Sequence, residues 1–358
     1  MSNEYNKPII AKAQALLREY GHEVKTGHLY EVFSKLAGEP SWNVAKAKQT
    51  SFLDKVLSVF SFGNKSGYSE EVKESRIAYL NSIKDQTSNF DLGLHLESKK
   101  IINKDFTKEP NALFVGSLGT GKTVSMVNSL VSWVARNKEN GLVFLVDPLK
   151  GAVDYQELFD YDNVYPVLNS NKGVISTIDL VYKELTSRRE AFVSVKAENI
   201  YDYEKKTKIK LNYCLIAFEE FHAIPTLIDY EDNYKTEGTT AYKLSQIMRL
   251  GRSLGVWVWA ASQKASSREI PAHLLVSFAN KFVFRTSKTE SIYLLGNQSA
   301  AELPIESRGR CASLEGVLQF PYFDKEEQKE ILYSSKGLLK FQCCSISDND
   351  CHLLFKEE

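Results

Sequence analysis

The chain has 358 residues, of which 43% are hydrophobic and 25% charged, and its formal net charge is zero. That balance is typical of a soluble globular protein of one large or two ordinary domains, and it argues against a broad basic surface while leaving room for a local basic channel. No stretch approaches the roughly 20 apolar residues of a membrane helix, residues 1–7 lack a signal-peptide core, and the five cysteines form no C-x-x-C pair, so reduced thiols and a cytoplasmic location are expected.

Residues 8–60 read as short helices. Ile9, Ile10, Ala13, Leu16 and Leu17 recur at helical spacing, as do Leu29, Val32, Phe33 and Leu36, and Trp42 begins a third stretch. A small all-helical N-terminal domain over residues 1–62 is expected. The aromatic and aliphatic segment Phe52–Phe62 is interrupted by Asp54 and Lys55, which favours packing on a partner helix or domain over lying on a membrane surface. Residues 63–90 read as a Ser/Gly/Asn linker followed by a polar connecting helix.

Residues Gly116-Ser117-Leu118-Gly119-Thr120-Gly121-Lys122-Thr123 fit G-x-x-x-x-G-K-[ST]. The glycines allow a tight turn whose N–H groups converge on phosphate oxygens, Lys122 reaches the outer phosphates, and the Thr123 hydroxyl holds Mg²⁺. The motif lies between an apolar strand, 111–115, and an apolar run of helical length, Val124–Arg136, so a helix N-terminus adds its positive potential. A nucleoside triphosphate is the expected ligand, gripped by 116–123 with Val124 beside it.

Beyond residue 91 strands alternate with helices. Near-continuous apolar runs at 111–115, 142–147, 213–218, 256–261 and 281–286 predict a mostly parallel sheet covered on both faces, an α/β core. The strand ending at Phe218 runs into Glu219-Glu220. One carboxylate there, Glu219, serves the Mg²⁺, and the next, Glu220, takes a proton from the attacking water. Gln263 ends the following strand and suits sensing of the γ-phosphate. Before that strand, Arg252 and secondarily Arg249 are candidates for a guanidinium delivered into a neighbouring subunit's site.

Together these residues resemble the motor domain of FtsK-type DNA translocases, within the wider group that includes HerA and the conjugative coupling ATPases. Leu145-Val146-Asp147-Pro148-Leu149-Lys150-Gly151 with Asp154, the helix Val181–Arg189 with Glu184 and Arg188, the stretch Ala197–Tyr203, Gly251–Lys264, and Asn280–Leu295 with Lys281, Ser287, Lys288 and Ser291 carry the likeness. They span residues 91–325, the expected motor domain, leaving 326–358 as a C-terminal extension. The chain departs from the pattern at Glu219, where the family usually has Asp, and at Lys264, where it has Arg. Neither the membrane-spanning segments nor the C-terminal winged-helix module of chromosome-segregation members is expected here.

The resemblance implies a RecA-like P-loop core, Mg²⁺-dependent ATP hydrolysis, a ring (most simply a hexamer) with ATP sites between subunits, and movement along DNA. In such a channel cations track the phosphate backbone without reading bases. Lys205, Lys206 and Lys208 in the densest basic run, with Lys264 and Arg268, are the candidates, although a solvated loop before the Glu219 strand is the simpler reading of the run. Plasmid or conjugative transfer and viral genome packaging are the expected settings, with residues 1–60 available to dock on a membrane-bound transfer complex. The alternatives are an ATPase powering protein secretion or pilus assembly, and a nucleotide-dependent assembly module that does not hydrolyse.

Overall fold

The computed structural model describes residues 89–98, 100–105, 108–168, 171–333 and 341–353. The helical readings over residues 8–60 and 71–89, and the linker before the second, lie outside the described residues except at the end of the connecting segment, where residues 89 and 90 begin strand β1 instead of ending a helix.

In chain order the elements are β1 (Asn89–His95), β2 (Ile101–Asp105), β3 (Ala112–Val115), α1 (Lys122–Arg136), β4 (Gly141–Asp147), a 3-10 turn (Val153–Leu158), β5 (Val164–Leu168), α2 (Asn171–Ser194), α3 (Ile200–Thr207), β6 (Tyr213–Phe218), α4 (Ala223–Leu227), α5 (Tyr230–Asn233), α6 (Thr240–Leu254), β7 (Val256–Ser262), α7 (Ala272–Leu275), β8 (Asn280–Phe284), α8 (Lys288–Leu295), β9 (Arg310–Ser313), β10 (Gly316–Gln319), α9 (Lys325–Tyr333) and α10 (Asp348–Leu353). The strands form one ten-stranded sheet in the order β2-β1-β10-β9-β8-β3-β7-β6-β4-β5. From β8 to β5 all neighbours are parallel. From β8 out to β2 they are antiparallel.

The parallel half explains its own sequence. Every residue of β3, β4 and β7 is buried, because helices cover both faces and leave no solvent side on which a polar residue would be favoured. The five expected strands are all present, within a residue or two of their predicted ends. Helix α6 shows how the ends are set. The Thr239 hydroxyl accepts from the Tyr242 amide at the start, and Gly255 closes the other end at φ 71°.

Helix α2 packs on α6 and buries an ion pair. Arg188 and Glu184 are both fully buried. Arg188 Nε donates to Glu184 Oε1 at 2.7 Å, and its two terminal nitrogens donate to the Leu254 and Asn212 carbonyls at 2.8 and 2.6 Å. The other carboxylate oxygen of Glu184 accepts from the amides of Ser345 and Ile346. The chain near its C-terminus is thereby held against the core, and α9 likewise docks on α1 through Gln328 and Asn128, 3.0 Å apart.

Among the described residues no helix is long and apolar enough to cross a membrane.

Candidate active site

The parallel strands β3, β6 and β7 end together, and their C-terminal ends hold the residues singled out by sequence. Between β3 and α1 the P-loop turns through Gly119 at φ 79° and Gly121 at φ 92°, both left-handed conformations that glycine adopts without strain. The loop is anchored on either side, with Gly116 N donating to the Ser262 carbonyl of β7 at 3.2 Å and Ser117 N to the Arg285 carbonyl just past β8 at 3.0 Å. Its back is braced by the segment before β9. Gly309 N donates to the Thr120 carbonyl at 2.9 Å, and a Cβ on Gly121 would stand 2.5 Å from that same nitrogen.

Glu219 reaches into this cradle. Its Oε1 lies 3.3 Å from Lys122 Nζ and accepts from the Thr123 hydroxyl at 3.1 Å. Its Oε2 accepts from the Tyr155 hydroxyl at 2.5 Å. Glu219 and Tyr155 are at most 1% exposed. Burial, with Glu219 beside it, pushes the Tyr155 phenol well above its ordinary value, so it remains a hydrogen-bond donor at any physiological pH.

Glu220 points to the next part of the site. Its backbone has φ 51°, a costly left-handed conformation for a residue with a side chain. Its Oε1 accepts from Lys150 Nζ at 2.5 Å and from the Gln263 amide. Its Oε2 is buried and among the described residues has no hydrogen-bond partner; His222 Nδ1 stands 3.4 Å away without a bonding geometry. Burial raises the Glu220 pKa, but the Lys150 hydrogen bond, the charges of Lys122 and Lys150 and the Gln263 amide outweigh it, so the carboxyl stays below its ordinary value. Burial chiefly, with a smaller part from nearby lysines, lowers His222, so its ring is neutral at neutral pH.

One buried acid organises the lysine and the tyrosine. Asp147, at the end of β4, accepts from the amides of Leu149 and Lys150 through Oδ1 and from Ala152 through Oδ2, at 3.2, 3.0 and 2.7 Å. The turn it caps sends Lys150 to Glu220 and, through the 3-10 turn, Tyr155 to Glu219. Sequence reasoning missed Tyr155 and His222, neither of which has a spacing signal, and it took Lys150 only as part of a family likeness.

A hydroxyl and a carboxylate converging beside a phosphate cradle are the hard oxygen donors that suit Mg²⁺. Thr123 and Glu219 therefore fit the ion expected with a nucleotide.

The remaining candidates are not gathered here. Arg252 and Arg249 are exposed on the last turns of α6, ahead of β7, whereas Gln263 follows it. The seven residues of β7 set the two ends roughly 20 Å apart at about 3.3 Å per residue, so Arg252 does not reach its own P-loop. Lys205, Lys206 and Lys208 precede β6 and stand at that same far edge, all exposed, with Lys206 paired to Asp202 at 2.7 Å. Lys264 and Arg268, also exposed, follow Gln263 and stand at the P-loop edge.

No protein-family model matches the chain. Curated relatives include a protein named DNA translocase FtsK from Helicobacter pylori, 24% identical over 242 residues, covering 64% of this chain and 28% of the relative. Another of that name from Campylobacter jejuni is 23% identical over 212 residues, covering 58% and 21%. The chain thus spans less than a third of these relatives. Among solved structures, the conjugation coupling protein TcpA of pCW3, in a monomer form with ATPγS, superposes with a TM-score of 0.57 at 22% identity, covering 72% of this chain and 73% of that one. The cytoplasmic domain of the Thermomonospora curvata type VII secretion ATPase EccC gives 0.58 at 22%, covering 72% and 32%. The chain shares its fold with these two solved structures.

Proposed function

We propose that this chain is an ATP-hydrolysing motor that moves DNA. The observation carrying the reading is the joint placement of Glu219 between Lys122 and Thr123, with Glu220 next to it presenting one committed and one open carboxylate oxygen. The P-loop amides and Lys122 bind the β- and γ-phosphates, and Thr123 and Glu219 hold Mg²⁺ with them. When bound, that ion neutralises charge developing on the phosphate oxygens. Water attacks the γ-phosphorus, its proton passes to Glu220, and the bond to the bridging oxygen breaks to give ADP and inorganic phosphate. Glu220 Oε2 is the oxygen free to accept from that water, and Gln263, tied to Oε1, couples its position to the end of β7.

Arg252 stands at the far edge of the sheet from its own P-loop, so the nucleotide we assign it is a neighbour's. In the arrangement we propose, identical subunits form a ring, most simply a hexamer, in which α6 of one subunit faces the P-loop of the next. The names of the sequence relatives favour DNA as the track. Lys264 and Arg268 stand at the P-loop edge, where nucleotide state can move them, and are our first phosphate-contact residues, with Lys205, Lys206 and Lys208 second. Conjugative or plasmid DNA transfer is the setting we favour over genome packaging, with residues 1–60 docking on a membrane-bound complex.

The test is ATP turnover with and without single- and double-stranded DNA at low salt, beside a sizing measurement. Turnover stimulated by DNA in a multimer is the expected result. Turnover indifferent to DNA, with no DNA binding, sinks the translocase reading and favours a protein-secretion ATPase. Nucleotide binding without turnover leaves an assembly module.

A further inference from the structure

The two oxygens of Glu219 are committed differently. Oε1 meets Lys122 and Thr123 in the cradle, while Oε2 is turned away and accepts from Tyr155. We propose that Tyr155 is the positioning residue for Glu219, holding Oε2 so that Oε1 is presented to the cation it shares with Thr123. The inference rests on the reading of Glu219 as a magnesium residue.

Glutamate has one more rotatable bond than the aspartate usual in the resembled motors, so its carboxylate has more ways to swing out of line. A second partner on the far oxygen removes that freedom. Tyr155 is suited to this because its own surroundings tie it down. It is buried, its amide donates to the Ala152 carbonyl at 2.8 Å, and Ala152, at φ 51°, is pinned by Asp147. Such partners behind a metal carboxylate fix its orientation, and their loss weakens metal binding by roughly 10–100-fold.

The experiment uses the full chain and a fluorescent, slowly hydrolysed ATP analogue. Binding is titrated against Mn²⁺, and separately in chelator without metal, for wild type, Tyr155→Phe, Glu219→Asp and the double variant. Tyr155→Phe is expected to raise the Mn²⁺ concentration for half-maximal nucleotide binding by about tenfold or more and to leave metal-free binding unchanged. In the Glu219→Asp background, where the shorter carboxylate does not reach the hydroxyl, it should add little. A Mn²⁺ titration of Tyr155→Phe that overlays wild type overturns the proposal, as does an equal loss with and without metal, which would mark a merely structural tyrosine. If wild type itself binds nucleotide with no response to metal, the magnesium reading of Glu219 falls first and takes this inference with it. Should Tyr155→Phe not fold, difluorotyrosine at position 155 keeps the shape and changes the donor; the half-saturation point is expected to move, and an unmoved one overturns the proposal.

Discussion

Lys150 Nζ lies 2.5 Å from Glu220 Oε1, joining the turn after β4 to the residue beyond β6. Lys150 is 42% exposed at its side chain and Glu220 only 2%, so the lysine is the partner that solvent or a bound ligand can draw away. The pair lowers the carboxyl and raises the amine against the opposing effect of burial on each.

Replacing Lys150 with Met should therefore raise the Glu220 pKa, since burial remains and its first compensating partner is gone. A base works only when ionised, so the acid limb of the turnover–pH profile should move to higher pH. Steady-state ATPase measurements across the acid range check this. An acid limb that stays put would show that Glu220 is not the titrating base.

Lys122→Ala and Glu220→Gln should fail at different steps. The first removes a phosphate contact and should weaken nucleotide binding and turnover together. The second should keep binding and slow turnover by about 10²–10⁴-fold, the range for losing a positioned general base. Binding by fluorescence and turnover by phosphate release separate them. If Glu219→Gln stops turnover with metal still bound and Glu220→Gln does not, the roles of the two acids are exchanged.

Arg252→Ala subunits mixed with wild type should depress activity more steeply than their share of the mixture, because each one also disables a neighbour. The measurement is turnover against mixing ratio in assembled protein. Strict proportionality would confine Arg252 to a role within its own subunit.

Glu184→Gln should cost stability rather than chemistry. It leaves Arg188 charged and fully buried with a weakened partner, a situation that costs about 3–5 kcal/mol when a buried pair is broken. Urea unfolding reads the loss. The pH sign follows from the carboxyl itself. Burial raises it, but Arg188 and the backbone amides of Cys344 and Ser345 hold it below the ordinary 4.5. A folded-state pKa lower than the unfolded one stabilises fully above about 4.5 and loses that contribution as pH falls through the lowered value. Wild type should thus lose part of its stability in that acid window, and the Gln variant should lose less there.

Five of the six parallel strands were readable because burial on both faces writes one signal, a continuous apolar run. The strands that escaped carry a weaker or contrary one. β5 contains Pro166, which removes a ladder donor, and it is tolerated because β5 is an edge strand. β9 and β10 have four residues each, too short for alternation to stand out. Within the site, the sequence singled out Lys122, Thr123, Glu219 and Glu220 by their spacing at strand ends, and the fold brings Glu219 to Lys122 and Thr123. Tyr155 was not, since it enters by way of a turn whose shape depends on three amides meeting Asp147, and no spacing rule encodes that.

The contact of Gly309 with Thr120 and Gly121 gives the phosphate cradle a rear wall drawn from late in the chain. The shape of the loop therefore depends on a residue outside its motif, and a side chain added at Gly121 would press on the Gly309 backbone rather than on open space.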